Sequence, residues 1–524
     1  MVKKMRMLLI NPPYPFEESP SPPFGPMSIA AFLLENGIEV RIEDYVVRPC
    51  TIERIREVAE TFRPDIVGST AVTMNVKRAL RILDNFRDAL PGVITVMGGP
   101  HVTFDADNIL RNSGHVDFVV RGEGEITLLE LINALADKCH PGGVRGISFR
   151  EGDEVVHTAD RELIPDINIL PFPARHLVEH SKYRALGFPV NMVTSRGCPF
   201  NCIFCVGSKM VGRRVRYFNT DRVVNEFAML AEYGFSQINI ADDLFTANAS
   251  RCIDICREIV RRGVQYPWTA FARVDTVTGE LLSAMKESGC TTLCFGIESG
   301  NQQILDAIKK KTNLAMCRKA VDLCVEAGIR PMTSYILGLP GETPETVRET
   351  MEFARELSPW YGYHILAPFP GTEVREKSTE YGMRILTDDW DLYDANRSVC
   401  ESVSMPGTEV DRIVNEFNND IDMYVASSVE SYERGEELDP ERLEMVRKIK
   451  STDFCRILIM DRIVETYPRS GYNGGGPGIS DFVAYVSDRT GLKKEDAGHE
   501  IERLVRIGSL QMKTVDAGTY MSWV

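Results

Sequence analysis

Short apolar runs alternate with amphipathic stretches along most of the chain. In the first 145 residues the runs fall at 7–10, 39–42, 66–69, 93–97 and 118–120. Between them, apolar positions recur at helical spacing over 28–36, 52–61, 77–89 and 127–136. Strands that alternate with helices predict a parallel, doubly wound α/β sheet. The alternation resumes near residue 189. Strands are expected at 191–195, 237–241, 268–273, 292–297, 332–337 and 363–367, with helices at 221–232, 250–262, 279–287, 302–309, 314–327 and 344–357. Six such units in a row predict a partial (β/α)6 barrel, whose chemistry sits at the C-terminal ends of the strands.

Four segments follow from this reading: a Rossmann-like domain over 1–145, a connector over 146–188, the barrel over 189–390 and a C-terminal domain over 391–524. The connector holds Leu170-Pro171-Phe172-Pro173-Ala174, which two prolines keep extended. The last segment reads as mostly helical. Helices at 479–489 and 496–506, then strands at 510–514 and 519–523 around Asp516-Ala517-Gly518, resemble a winged-helix module.

Composition narrows the class. The chain has 524 residues, 44% of them hydrophobic, enough for several cores. The net charge of −15 is spread along the chain and argues against bulk nucleic-acid or membrane-surface binding. No apolar stretch approaches the roughly 20 residues of a membrane span. The run Met7–Ile10 after the basic start is too short for a signal sequence and ends at Asn11-Pro12-Pro13. Thirteen cysteines, an odd number, do not suggest a secreted disulfide framework. A reducing, cytoplasmic location is expected, and clustered cysteines then point to metal.

One cluster stands out. Cys198, Cys202 and Cys205 lie in Ser195-Arg196-Gly197-Cys198-Pro199-Phe200-Asn201-Cys202-Ile203-Phe204-Cys205, just past a predicted strand. Three close thiolates can hold three irons of a [4Fe–4S] cluster and leave the fourth open. This CxxxCxxC run resembles that of the radical SAM superfamily over about residues 190–390. The resemblance implies that S-adenosylmethionine chelates the open iron and is cleaved to a 5′-deoxyadenosyl radical, with an external electron donor. It further implies S-adenosylmethionine contacts from Phe204, Asp242, Asp243, Arg273, Glu298, Leu337, Gly338 and Pro368, at the ends of the predicted strands. Simpler roles stay open for several of them: helix capping for the aspartates, a pair with Asp275 for Arg273 and a structural salt bridge for Glu298.

The first domain carries a second constellation. Asn11, Pro12 and Tyr14 follow the first strand, Ser69, Thr70, Ala71, Val72 and Thr73 the third, and Gly98, Gly99, Pro100 and His101 the fourth. From Ser69 to Gly98 there are 28 intervening residues, similar to the spacing in cobalamin-binding Rossmann domains. No histidine precedes His101, so no first-loop histidine can ligate cobalt. Together with Arg121-Gly122-Glu123-Gly124-Glu125, of which Glu123 is a candidate cobalamin contact, this order resembles the cobalamin-binding radical SAM family, which includes methylases and the anaerobic magnesium-protoporphyrin ester cyclases.

The resemblance implies C-methylation of an unactivated sp3 carbon of a small molecule, lipid or protein, for example a glutamine of methyl-coenzyme M reductase. A cyclase or oxidoreductase of tetrapyrrole or lipid synthesis is the alternative enzyme. A cobalamin-sensing regulator is the alternative from another class. Against it, residues 451–524 hold nine Lys or Arg and ten Asp or Glu, which is no basic DNA-binding face.

Overall fold

The apolar run Arg6–Asn11 forms β1, which pairs in parallel with β2 (Glu39–Asp44) on one side and β3 (Ile66–Thr70) on the other. β4 (Ile94–Gly98) and β5 (Phe118–Val120) extend the sheet in parallel. Helices α1 (Phe24–Glu35), α2 (Ile52–Phe62), α3 (Val76–Ala89), α4 (Pro100–Asn112) and α5 (Gly124–Ala136) complete a doubly wound unit. The computed structural model describes residues 5–15, 19–472, 477–515 and 518–524.

Local chemistry explains these elements. Thr51 caps α2 by accepting from the Arg54 amide, and Ile55, Val58 and Ala59 form its buried stripe. α4 was not expected from the sequence, because Gly98-Gly99-Pro100 reads as a turn. Pro100 instead occupies the first helical turn, and the helix is kinked at Asp105. The sheet also outruns the expected domain. Strands β6 (Ile147–Glu151) and β7 (Glu154–His157) add to it antiparallel, so residues 146–157 belong to the first domain rather than to the connector.

Connector helix α6 (His180–Ala185) leads into the second sheet. Its strands are β8 (Val190–Met192), β11 (Ile238–Ile240), β12 (Trp268–Ala272), β13 (Cys290–Glu298), β14 (Arg330–Leu337) and β15 (Tyr361–Ile365). They lie in that order, every neighbour parallel, and β8 and β15 are the two outer strands. A short antiparallel pair, β9 (Ser195–Arg196) with β10 (Arg216–Tyr217), brackets the cysteine run and α7 (Gly207–Met210). Helices α8 (Thr220–Glu232), α9 (Ala249–Arg261), α10 (Gly279–Glu287), α11 (Gln302–Ala307), α12 (Leu314–Glu326), α13 (Pro344–Leu357) and α14 (Glu373–Glu376) follow the strands. The partial barrel is therefore as the sequence predicts. Trp268, Phe295 and Leu337 lie buried within one apolar core between this sheet and its helices.

A short hairpin, β16 (Met383–Ile385) with β17 (Cys400–Ser402), follows the barrel. Helices α15 (Gly407–Glu433), α16 (Pro440–Met460), α17 (Ile463–Thr466), α18 (Ile479–Thr490) and α19 (Lys494–Arg506) then lead to hairpin β18 (Leu510–Val515) with β19 (Gly518–Trp523). The last four elements are the two helices and the hairpin that the sequence predicts. The expected turn at Asp516-Ala517, like the basic start at residues 1–4, lies outside the described residues. This domain grips α6: Arg184 donates to the Ser509 hydroxyl at 3.0 Å, Lys182 pairs with Glu465 at 3.0 Å, and Arg503 donates to the Ala185 carbonyl. Among the described residues no helix is long and apolar enough to cross a membrane.

Candidate functional site

The cysteine run forms the loop between β9 and α7. Gly197 opens it with φ of 119°, and a Cβ there would lie 2.6 Å from the Arg214 carbonyl oxygen, so only glycine fits. Asp242 fixes the base of the loop. It is buried and accepts from the Thr194 amide at 2.5 Å and from the Thr194 and Ser195 hydroxyls at 2.6 Å. Burial raises its carboxyl, and these three donors offset only part of that rise. Its oxygens are committed inside the protein, so Asp242 is a positioning group and not a free contact for an amino acid.

Cys198 and Cys202 are half-buried and Cys205 is exposed. The three thiols lie near one another. Burial raises the Cys202 thiol, a rise that Lys310 and Arg273 oppose and Glu298 and Cys198 reinforce. The Cys205 sulfur accepts from the Gly207 amide at 3.4 Å. Among the described residues no three His, Cys, Asp or Glu side chains form a mononuclear metal site. A cubane asks for a different arrangement, with each thiolate on its own iron. Lys310 and Arg273, the cations beside Cys202, pull that thiol toward the thiolate form that such a cluster requires, against its burial.

Around the loop sit the other strand ends. Arg273 stacks 3.5 Å over the Phe200 ring and points Nη1 toward the Cys202 sulfur at 3.9 Å. Its remaining nitrogens are used by Asp275, at 2.9 and 3.1 Å, and by the Lys310 carbonyl at 2.6 Å. The pair with Asp275 is thus present, and Arg273 adjoins the cysteine loop without a free fork. Glu298 is buried with φ of 73° and is bonded to Lys310 at 2.6 Å. A non-glycine residue held there is strained, and such strain clusters at functional sites. Asp243 is exposed and accepts from the Gly197 amide at 3.2 Å. Behind the loop, Ile203, Leu339 and Leu366 pack into an apolar patch with Phe204 and Ile336 at its edge. Leu337, expected to face the cofactor, points into the helix-covered core instead, because strand alternation turns Ile336 to the other side. Pro368 is buried, and its carbonyl accepts from Arg375. Gly338 has φ of 84°, and its amide bonds the buried Glu342 carboxyl at 2.7 Å.

A cavity of about 310 Å³ separates the two sheets. Its floor is the carboxyl edge of β1, β3 and β4, where strand order reverses and doubly wound folds bind ligands. Six of the residues expected to contact cobalamin, Ser69, Thr70, Gly98, Gly99, Pro100 and Glu123, line it. A Cβ on Gly98 would meet only the Val120 carbonyl, at 3.8 Å, so any side chain there would enter the cavity. Small residues and hydroxyls at this edge fit a bulky nucleotide tail. Asn11, Pro12, Tyr14, Ala71, Val72, Thr73 and His101 are not among the lining residues. Asn11 donates to Asp44 at 2.8 Å. His101 is buried away from the cavity, with Nδ1 3.1 Å from the Thr73 hydroxyl and its ring 5.0 Å from that of Trp390. Among the described residues no histidine lines the cavity.

The roof comes from the barrel. Val193, Ser195, Arg196, Ala241 and Asp243 line the same cavity. Arg196, two residues before Cys198, reaches Glu123 at 3.0 Å and Glu125 at 2.6 Å. Arg216 reaches Glu123 at 2.9 Å, and the Ser28 hydroxyl donates to Glu125. Burial pushes the Glu123 carboxyl up, but Arg216 and Arg196 outweigh it and hold it below the usual range. The roles of Arg196, Arg216 and Glu125 are invisible to a motif search. Their partners lie some 70 to 90 residues away in sequence, and only the Arg-Gly-Glu-Gly-Glu string hinted at them.

Comparison with known proteins follows this geometry. Residues 18–132 match the B12 binding domain and residues 192–354 match the radical SAM superfamily. The chain is 37% identical over 400 residues to an uncharacterized methyltransferase of Pyrococcus horikoshii, covering 75% of this chain and 87% of the relative. The chain belongs to the cobalamin-binding radical SAM family. As a radical SAM enzyme with a B12 domain, it takes cobalamin, S-adenosylmethionine and a [4Fe–4S] cluster. It is also 28% identical, over 79% of its length and 77% of the relative's, to an anaerobic magnesium-protoporphyrin IX monomethyl ester cyclase of Rubrivivax gelatinosus. The radical SAM fold with its B12 domain recurs in the cobalamin-dependent S-adenosylmethionine radical enzyme OxsB, with a TM-score of 0.70 at 19% identity over 96% of this chain and 80% of that one. It recurs too in the methyltransferase TsrM of Kitasatospora setae, with a TM-score of 0.65 at 20% identity over 78% and 84%.

Proposed function

We propose that this chain is a methyltransferase that places a methyl group on an unactivated sp3 carbon. One observation carries the reading: the cobalamin cavity and the cysteine loop share a wall, made by Val193, Ser195, Arg196, Ala241 and Asp243. Methyl transfer to a carbon radical requires the methyl donor and the radical source to face one substrate. When bound, the cluster with S-adenosylmethionine supplies the hydrogen-abstracting radical, and cobalamin supplies the methyl group.

The protein's part is binding and alignment. Cys198, Cys202 and Cys205 hold the cluster. Asp243, Glu298, the Gly338–Leu339 backbone and the patch around Phe204 border the S-adenosylmethionine site. Ser69, Thr70, Gly98 and Gly99 receive the cobalamin tail. Asp242 and Arg196 fix the loop that carries the cluster, and an external donor delivers the electron. Named relatives support methylation, including a hopanoid C-3 methylase of Methylococcus capsulatus at 26% identity. A second reading keeps the site and forms a ring instead, as the names of the cyclase relatives suggest.

Anaerobic reconstitution separates the two. Methylation yields S-adenosylhomocysteine and 5′-deoxyadenosine in equal amounts, with a product heavier by one methylene. Ring closure yields deoxyadenosine with no homocysteine product, and that result would refute the methylation reading.

A further inference from the structure

We propose that the cavity and the cysteine loop are coupled sites: cobalamin in the one stabilises the cluster in the other, through Arg196, whichever reaction the two cofactors serve. The coupling is built into one short element. The cysteine loop leaves from β9 and returns through β10, and each of these strands is two residues long, Ser195 pairing with Tyr217 and Arg196 with Arg216. A two-stranded ribbon that short does not hold itself. Charge from the other domain holds it. Arg196 bonds Glu123 and Glu125, while Arg216 bonds Glu123 and the Ile164 and Val211 carbonyls, at 2.7 and 2.8 Å. The Ile164 amide donates to Glu123 at 2.8 Å and closes the network. The strings Ser195-Arg196-Gly197-Cys198 and Arg121-Gly122-Glu123-Gly124-Glu125 are thus two halves of one clasp.

The clasp is also a wall of the cavity. Ser28, Glu123 and Glu125 line it from the first domain, and Ser195, Arg196 and Val211 line it from the base of the loop. Much of the remaining lining is apolar, with Met7, Leu9, Val96, Val120 and Leu128. Paired charges beside such a space respond to what fills it. Water there screens them. An organic group displaces that water and lowers the local dielectric constant, so each pair grows stronger. The side chains of Glu123, Glu125 and Arg216 are at most 6% exposed and that of Arg196 is 13% exposed, so Arg196 gains most when the cavity is filled. The effect also runs the other way. A cluster that fixes Cys198 fixes the backbone two residues downstream of Arg196, and so presents its guanidinium to Glu123 and Glu125 already placed. Coupling between two binding sites is reciprocal, so each cofactor tightens the hold on the other. A second ion pair between the domains, Lys77 with Asp389, lies outside the cavity lining and serves as the control.

Anaerobic equilibrium dialysis with hydroxocobalamin reads the coupling without any turnover. Cluster-loaded wild type should bind it about fivefold or more tightly than the same protein stripped of iron by a chelator. Iron release to that chelator should slow by a similar factor when hydroxocobalamin is saturating. Arg196→Gln, reconstituted to the same iron content, should show neither difference. Lys77→Ala should show both in full. Ser28→Ala removes the 3.1 Å bond to Glu125 and leaves the loop side of the clasp in place. It should roughly halve both ratios, as the loss of one neutral donor does, and it decides the matter where Arg196→Gln takes up less iron. Equal cobalamin affinity with and without iron in the wild type overturns the proposal. So do full ratios in Arg196→Gln or in Ser28→Ala. An equal loss in Lys77→Ala overturns it too, since the coupling would then belong to domain contact in general.

Discussion

At the residue scale, the site depends on groups whose charge is set by their surroundings. The three thiols are the sharpest case. Replacing Cys198, Cys202 and Cys205 together by alanine should abolish iron uptake and deoxyadenosine formation, measured by iron analysis and chromatography, while the far-ultraviolet circular dichroism stays unchanged. Glu342 is the subtler case. It is buried beneath the Gly338–Leu339 turn, accepts both of those amides, at 2.7 and 3.0 Å, and leaves its other oxygen unbonded. Burial lifts its carboxyl from 4.5 to about 8, against the pull of the two amides. Folding therefore takes up a proton between these values, and stability from this group is full below 4.5 and lost as pH rises through 8. Urea unfolding should show the wild type losing more stability than Glu342→Gln between pH 5 and 8.5. The cysteine spacing was legible in the sequence because the motif is local. The state of Glu342 was not, because burial is created only by the packed fold.

At the scale of elements, the strands and most helices follow from apolar periodicity, and the exceptions have local causes. α4 hid behind Gly98-Gly99-Pro100, whose residues suit both a turn and a helix start. β6 and β7 were missed because they are short, antiparallel additions with no helix between them. Which face a residue takes was legible only where the register was clear: Leu337 and Ile336 differ by one position and by the whole sheet. The connector is pinned by a buried ion pair. Arg175 bonds Glu226 of α8 at 2.6 Å and the Asn191 carbonyl at 2.9 Å. Glu226→Ala leaves that guanidinium buried without its counter-charge, which should cost about 3–5 kcal/mol in denaturant unfolding.

At the scale of the molecule, two domains are tied by charge across the cavity they enclose. Arg196 spans Glu123 and Glu125, so the loop that carries the cysteines is anchored to the cobalamin domain. The order of the domains was legible in the sequence, but this tie was not, since its partners are distant and their signs alone do not pair them. Arg196→Ala should lower substrate methylation by about a hundredfold, the usual effect of a misplacement near 1 Å. Uncoupled cleavage of S-adenosylmethionine should continue. A parallel loss of iron would instead mark the residue as purely structural.

The first and last strands of the barrel never meet. In a closed ring the bore is dictated by strand number and shear. An arc has no such fixed diameter, since small changes of twist widen or narrow it without breaking a hydrogen bond between strands. The gauge of what fits is then set by what packs along the two outer strands, such as Phe417 of α15 against Tyr361 and Tyr363, and not by the strands alone.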